Sequence, residues 1–288
     1  MQYGLIAFEL TAVETEDMTQ SSIYIHGTHP EEQKRLSLLN DLTNGSFLEF
    51  IEAGPGHSVL EVGSGLGILT NCVATRFPDC YVVGLEIAPE QLEKATASFS
   101  ETRNLRFLEG DALALEFPES TFDVVYCRYL LEHVSDPAVV VNELLRVLKP
   151  GGRVFLQENN ILIYEIYPDC PSYSKVLEKF AELQSRSGGD AEIGKKLFSI
   201  LKHAGFRSID LSIGPEVHHY DLPTFDPWIV NCREIIKGAK KRLTALDGVS
   251  EKLVEDAISE LDNLRENPYA SAYFYWNRAS AIKPPRVL

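Results

Sequence analysis

The chain has 288 residues, enough for one large or two small domains with a sizeable core. Its 42 acidic residues outnumber its 27 Lys and Arg, and the net charge of -15 opposes a phosphate backbone, which argues against a nucleic-acid partner. No apolar run approaches the roughly 20 residues of a membrane span, no basic n-region opens the chain, and five cysteines without CxxC spacing make no disulfide framework; a soluble, cytoplasmic protein without membrane contact is expected.

Residues 1–20 are acidic and without periodicity, and read as a leader. In the 21–56 segment Pro30 can open a helix, with Glu31 and Glu32 suiting its positive end and Leu36, Leu39 and Leu42 forming an apolar face. Asn44-Gly45 predicts a break, and Phe47, Leu48, Phe50 and Ile51 a second helix ended by Ala53-Gly54-Pro55-Gly56. VLEVGSGLGILT, Val59 to Thr70, then reads as a buried strand, a glycine turn and the start of a helix. Gly63, Gly65 and Gly67 alternate, so the spacing is GxGxG, and Ile68 stands where the dinucleotide fingerprint wants its third glycine. That fingerprint holds a pyrophosphate, which Glu61 would repel. Glu61 suits a positively charged ligand such as an amino-acid ammonium, and this opposes a nicotinamide dehydrogenase.

Tyr81 to Leu85 make a second strand ending at Glu86, and Pro89 starts a helix. An acid at a strand's carboxyl end, about 20 residues past the glycine loop, is placed to accept both hydroxyls of a ribose. Leu105 to Leu108 form a third strand with Gly110-Asp111-Ala112 at its end. Phe122 to Cys127 form a fourth, with Arg128 and Tyr129 at its end and His133 in the loop beyond. A helix over Val139 to Leu148 stops at Lys149-Pro150-Gly151-Gly152, and Arg153 to Gln157 begin a fifth strand.

Taken in order, the glycine loop, Glu86, the Gly-Asp pair, FDVV and LKPGG resemble the motifs of the class I S-adenosylmethionine (AdoMet) methyltransferases, over about Tyr24 to Leu156. The resemblance implies an α/β fold: a Rossmann-like, seven-stranded, mostly parallel sheet with helices on both faces, an N-terminal helical lid and helical insertions. It also implies S-adenosyl-L-methionine as cofactor. Glu61, Gly63, Ser64, Gly65, Glu86, Ile87, Gly110, Asp111, Ala112 and Arg128 are the implied cofactor contacts, with Asp111 at the adenine amino group. Tyr24, His26 and Arg35 are candidates from the lid, Tyr24 and Arg35 for the cofactor. His133 sits in a tetrapeptide, LEHV, that the family shares across different chemistries; it either packs or touches the methyl acceptor.

From Ile161 to Asp190 the chain departs from a minimal fold, and Tyr164, Tyr167, Tyr173 and Phe180 flank a Pro-Asp-Cys-Pro turn. The segment follows the fifth strand at the end where open sheets bind ligands, so 161–190 is expected to cap the substrate, with Tyr129, His133, Tyr164 and Tyr167 as substrate contacts. Ala191 to Ala204 read as a helix, Phe206 to Ile213 as the sixth strand, 223–267 as a helical insertion and Tyr269 to Ala281 as the last strand, antiparallel to the sixth. The division is thus 57–160 for the AdoMet core and 191–288 for the rest of the sheet. Neighbours on a strand point to opposite faces, so His218-His219 cannot share a metal, and no metal is expected. The function implied is methyl transfer to O, N, S or C of a small, partly apolar molecule. The alternatives are an AdoMet-binding protein or non-methylating enzyme on the same fold, or a protein methyltransferase.

Overall fold

A computed structural model of the chain describes residues 30–285. The leader, Tyr24 and His26 lie outside the described residues. Helix α1 (Pro30–Phe50) runs without interruption through Asn44-Gly45, where the sequence predicts a break. Propensity yields to tertiary anchoring here. The buried Asn44 accepts from Arg128 Nη2 at 2.7 Å, and Asn40 and Thr43, one turn earlier and next door, accept from the same guanidinium.

Next come β1 (Ser58–Val62), α2 (Ile68–Arg76), β2 (Tyr81–Glu86), α3 (Pro89–Ser98), β3 (Leu105–Glu109), β4 (Phe122–Arg128), α4 (Pro137–Val147) and β5 (Leu148–Glu158). The remainder is β6 (Glu165–Tyr167), α5 (Pro171–Arg186), α6 (Leu197–Ala204), β7 (Arg207–His219), α7 (Phe225–Leu243), α8 (Glu251–Arg265) and β8 (Ser271–Ile282). The first five strands pair in parallel in the order β3-β2-β1-β4-β5. Chain direction across the sheet reverses between β1 and β4, the switch point outside which open sheets bind ligands.

Strand side chains alternate between two cores, as a sheet covered on both faces requires. Val59, Val82, Val124, Tyr126 and Phe155 pack with Phe47 of α1 and Val73 of α2. Leu60, Val83, Val125, Cys127 and Leu156 pack with Val140 of α4 and Leu201 of α6.

β8 is antiparallel to both β5 and β7, as expected of the last strands. Among the described residues the sheet has eight strands rather than seven, because β6 pairs with Tyr273 to Ser271 of β8, beyond Asn277, which faces the last residue of β5. β7 continues past its expected end at Ile213, since Gly214 to His219 keep pairing with Trp276 to Ser271. Over this extension lies a third core, in which Phe180 of α5, Trp228 and Ile236 of α7 and Leu261 of α8 meet Phe274 and Trp276 of β8. The 161–190 segment therefore carries a helix, α5, and sits at the carboxyl end of β5. Among the described residues no helix is long and apolar enough to cross a membrane.

Candidate functional site

β1 delivers the chain into the glycine loop, where Gly63, Gly65 and Gly67 all have left-handed backbones (φ 78°, 54° and 72°) that disfavour any side chain. At Gly67 a Cβ would also lie 2.4 Å from the Phe107 ring. Glu86, at the end of β2, accepts from Gly65 N at 2.8 Å with Oε2 and from Ala88 N at 2.9 Å with Oε1. Each carboxylate oxygen keeps a lone-pair direction open, which fits the two hydroxyls of a ribose. Ser64 Oγ is buried without a hydrogen-bond partner, a loop donor that suits a bound polar group. Asp111 lies just past β3, whose Glu109 is level with Glu86. It is exposed, and its Oδ1 accepts from Leu113 N at 2.8 Å. Ile87 is 41% exposed beside Glu86, while Ala112 packs partly into the core. The residues present thus fit an AdoMet-like ligand: close-approach backbone, an orphaned hydroxyl and acids for ribose and base.

Glu61 lies one layer below. Its Oε2 accepts from Thr70 Oγ1 at 2.6 Å and from the Tyr126 hydroxyl at 2.9 Å. Burial pushes the Glu61 carboxyl up to about 7, against the pull of those two hydroxyls and of the Arg128 charge.

Arg128 is at the strand end as expected, but its guanidinium serves α1 through Asn40, Thr43 and Asn44 and lies over the rings of Phe47 and Tyr129. Arg35 requires a correction. Gln33, Ser37 and Asp41 of α1 border a groove of about 640 Å³ shared with Leu66 of the glycine loop and Ile68 at the start of α2. Arg35 is on the other side of the helix, paired with Glu32 (2.6 and 2.8 Å) and donating to Asn231 of α7 at 3.0 Å. Helical spacing separates the two faces, so Arg35 meets α7 and not the glycine loop.

At the acceptor side, Tyr129 leaves β4 with φ 56°, a strained conformation for a bulky residue that turns the chain sharply. Its hydroxyl accepts from Gln157 Nε2 at 2.7 Å, and its ring lies 4.4 Å from that of Trp276. Burial raises the phenol, which stays protonated. A single 3₁₀ turn, Leu131–His133, follows. Burial lowers the His133 imidazole against the pull of Glu132, whose Oε1 is 3.7 Å from Nε2, and the charges of Arg35 and Glu32 reach it across the gap. Tyr164 is packed between Phe274 (4.5 Å) and Trp228 (6.0 Å) and takes a hydrogen bond from Cys232 Sγ.

Tyr167 is a second correction: β6 pairing sends Ile166 into the core and leaves Tyr167 62% exposed on the opposite face. The strand ends therefore bring together Tyr129 and His133, with Tyr164 in the neighbouring core and Tyr167 outside. Sequence reasoning missed Thr70 and Tyr126, the partners of Glu61, and Glu158, the fully buried last residue of β5. The available signal for Glu158 was an acid two positions after the apolar run Val154 to Leu156, at the carboxyl end of the strand.

Residues 60–156 match the family model described as a methyltransferase domain. The demethylmenaquinone methyltransferase of Lactococcus lactis is 30% identical over 192 residues, covering 62% of this chain and 71% of the relative. A ubiquinone biosynthesis O-methyltransferase of Aliivibrio fischeri is 39% identical over 132 residues, 45% of this chain and 55% of that one. Among solved structures, Haemonchus contortus phosphoethanolamine N-methyltransferase 2, in complex with phosphomonomethylethanolamine and S-adenosylhomocysteine, shares the fold with a TM-score of 0.53 and 21% identity over 88% of this chain and 53% of that one. Identity at that level, across most of the Lactococcus lactis enzyme, places this chain among the class I AdoMet-dependent methyltransferases, with S-adenosyl-L-methionine as its cofactor.

Proposed function

We propose that the chain transfers the methyl group of AdoMet to a small, partly apolar acceptor held beyond the ends of β4 and β5. The observation that carries this reading is the convergence there of α1, the Tyr129–His133 turn and the aromatic core of the 161–190 segment. Glu86, Ser64, Asp111 and the glycine loop occupy the β1–β3 side and leave the β4–β5 side for the acceptor. AdoMet, when bound, supplies an electrophilic methyl on a positively charged sulfur.

The protein's part is alignment and the exclusion of water. Glu61 and Glu86 would hold polar groups of the cofactor, and Leu130, packed against Gly63, would shield the glycine loop from water. Tyr129 and Trp276 form an apolar wall. His133, held neutral by burial, can take a proton at a ring nitrogen from a hydroxyl or amine acceptor. A thiolate or phenolate would not need it. Relatives named for demethylmenaquinone and ubiquinone biosynthesis support a ring-bearing acceptor.

The test is turnover with AdoMet across a panel of demethylated quinols, phenols, thiols and phosphoethanolamine, read as S-adenosylhomocysteine release. Turnover of an aromatic hydroxyl or quinol, with KM raised in Tyr129→Phe or His133→Asn, supports the proposal. Methylation confined to added proteins would replace it with the protein-substrate alternative.

A further inference from the structure

The Tyr129–His133 turn is held from below by one side chain that neither the motifs nor the cofactor contacts account for. Glu158 closes β5 and is fully buried. Its Oε1 accepts from Leu130 N at 3.1 Å and from Leu131 N at 2.9 Å, the donors at the start of the 3₁₀ turn. Its Oε2 is buried with no hydrogen-bond partner. From above, Gln184 of α5 donates to the Glu132 carbonyl (3.0 Å) and to Glu132 Oε2 (3.1 Å), and Asp190 N donates to the same carbonyl at 3.0 Å. The turn is clamped between the end of the sheet and the 161–190 segment. Leu130, carried on it, packs where a Cβ on Gly63 would touch it at 3.1 Å, so movement of the turn reaches the cofactor loop.

We propose that Glu158 is a positioning residue, holding Leu130 and Leu131 so that the turn presents Tyr129 and His133 to the acceptor and Leu130 to the cofactor. The acceptor half of this inference rests on the function proposed above; the cofactor half does not. Two buried carboxylates, Glu158 and Glu132, meet at the turn, and a proton on one of them removes their repulsion. Burial first and Glu132 second push the Glu158 carboxyl up to about 8, against the pull of the turn's backbone donors. Beside them, Asn159 Nδ2 donates to Glu132 Oε2 at 3.5 Å. β4 contributes Cys127, its Sγ 4.0 Å from Oε1 and its thiol raised by burial. β8 contributes the uncharged Asn277, cross-strand from Glu158. His133 lies beyond Glu132, and Asp190 of the covering loop is paired with Lys196. Losing the Glu158 proton puts charge on a buried carboxylate whose Oε2 has no donor to meet it, and that cost loosens the clamp.

The experiment measures S-adenosylhomocysteine affinity by calorimetry and hydrogen exchange, corrected for intrinsic rate, of the peptide spanning residues 128–134, both from pH 6.5 to 9.5. Wild type should lose about tenfold in affinity across that range, roughly one proton-linked unit, and lose protection of Leu130 and Leu131 in parallel. Glu158→Gln, neutral at every pH, should keep protection of Leu130 and Leu131 flat and lose the affinity fall above pH 8, keeping only the change that Glu61 contributes near pH 7, and Glu158→Ala should be unprotected throughout. If Glu158→Ala fails to fold, the Gln variant still decides. An unchanged alkaline loss in Glu158→Gln, or loss of its protection at pH 6.5, would overturn the proposal. Neither readout uses an acceptor. A flattened profile in Glu158→Gln combined with unaltered acceptor kinetics in Tyr129→Phe and His133→Asn would uphold the clamp and remove the acceptor placement.

Discussion

Tyr126 donates its phenolic hydrogen to Glu61 Oε2 at 2.9 Å, and both side chains are sealed from solvent. The bond joins β4 to β1 at the switch point, directly under the glycine loop. Because burial raises the Glu61 carboxyl from 4.5 to about 7, the folded state holds this proton more tightly than the unfolded chain. The stability this group allows is fully present below about pH 4.5 and is lost as pH rises through about 7. Denaturant unfolding of the ligand-free protein should therefore show a decline of up to about 3 kcal/mol across that window from this group, and Glu61→Gln should remove it. A Gln variant with the wild-type slope would contradict the assignment.

Glu86 braces Gly65 N and Ala88 N, and on the proposed reading it also takes the ribose hydroxyls. Glu86→Ala removes charge-assisted bonds that contribute roughly 1.5 to 3 kcal/mol, about ten- to a hundred-fold in affinity. Calorimetry with S-adenosylhomocysteine should show that loss along with a lower melting temperature. Unaltered affinity in a folded variant would refute the role.

The Arg128 guanidinium fastens α1 to the sheet by three side-chain acceptors. A lysine has no planar fork to reach all three. Arg128→Lys should therefore speed proteolytic cleavage within residues 30–45 while the sheet stays folded. Equal cleavage rates in variant and wild type would show that α1 is held by its apolar face alone.

Tyr164 and Tyr167 should behave oppositely. Tyr164→Ala opens a cavity among Trp228, Phe274 and Tyr173 and should cost about 3 to 5 kcal/mol. Tyr167→Ala, at a 62% exposed position, should stay within about 0.5 kcal/mol of wild type. Thermal unfolding of the pair checks this, and similar losses in both would mean that Tyr167 is covered.

The parallel half of the fold was legible because its signals are local. Strand runs ending at Glu61-Val62, Glu86 and Arg128, each followed by turn residues and a helix, are set by periodicity and glycine placement. What escaped was decided by distant partners. Asn44-Gly45 reads as a stop, yet Arg128, far along the chain, keeps the helix going. Arg35 was legible as a helix residue but its direction was not, because Asn231 arrives from α7. Glu158 carries no motif, and its place under the Leu130–Leu131 amides depends on the turn that Tyr129 makes with a positive φ.

The central claim is that this chain moves a methyl group from AdoMet to a small molecule using the glycine loop, Glu86 and the ends of β4 and β5. The most direct measurement incubates the protein with methyl-deuterated AdoMet and a small-molecule extract, and follows the label by mass spectrometry. The account predicts a labelled product below about 1 kDa, formed together with S-adenosylhomocysteine and diminished at least tenfold by Glu86→Ala. Label recovered only in protein or nucleic acid, or S-adenosylhomocysteine formed no faster than without enzyme, would contradict it.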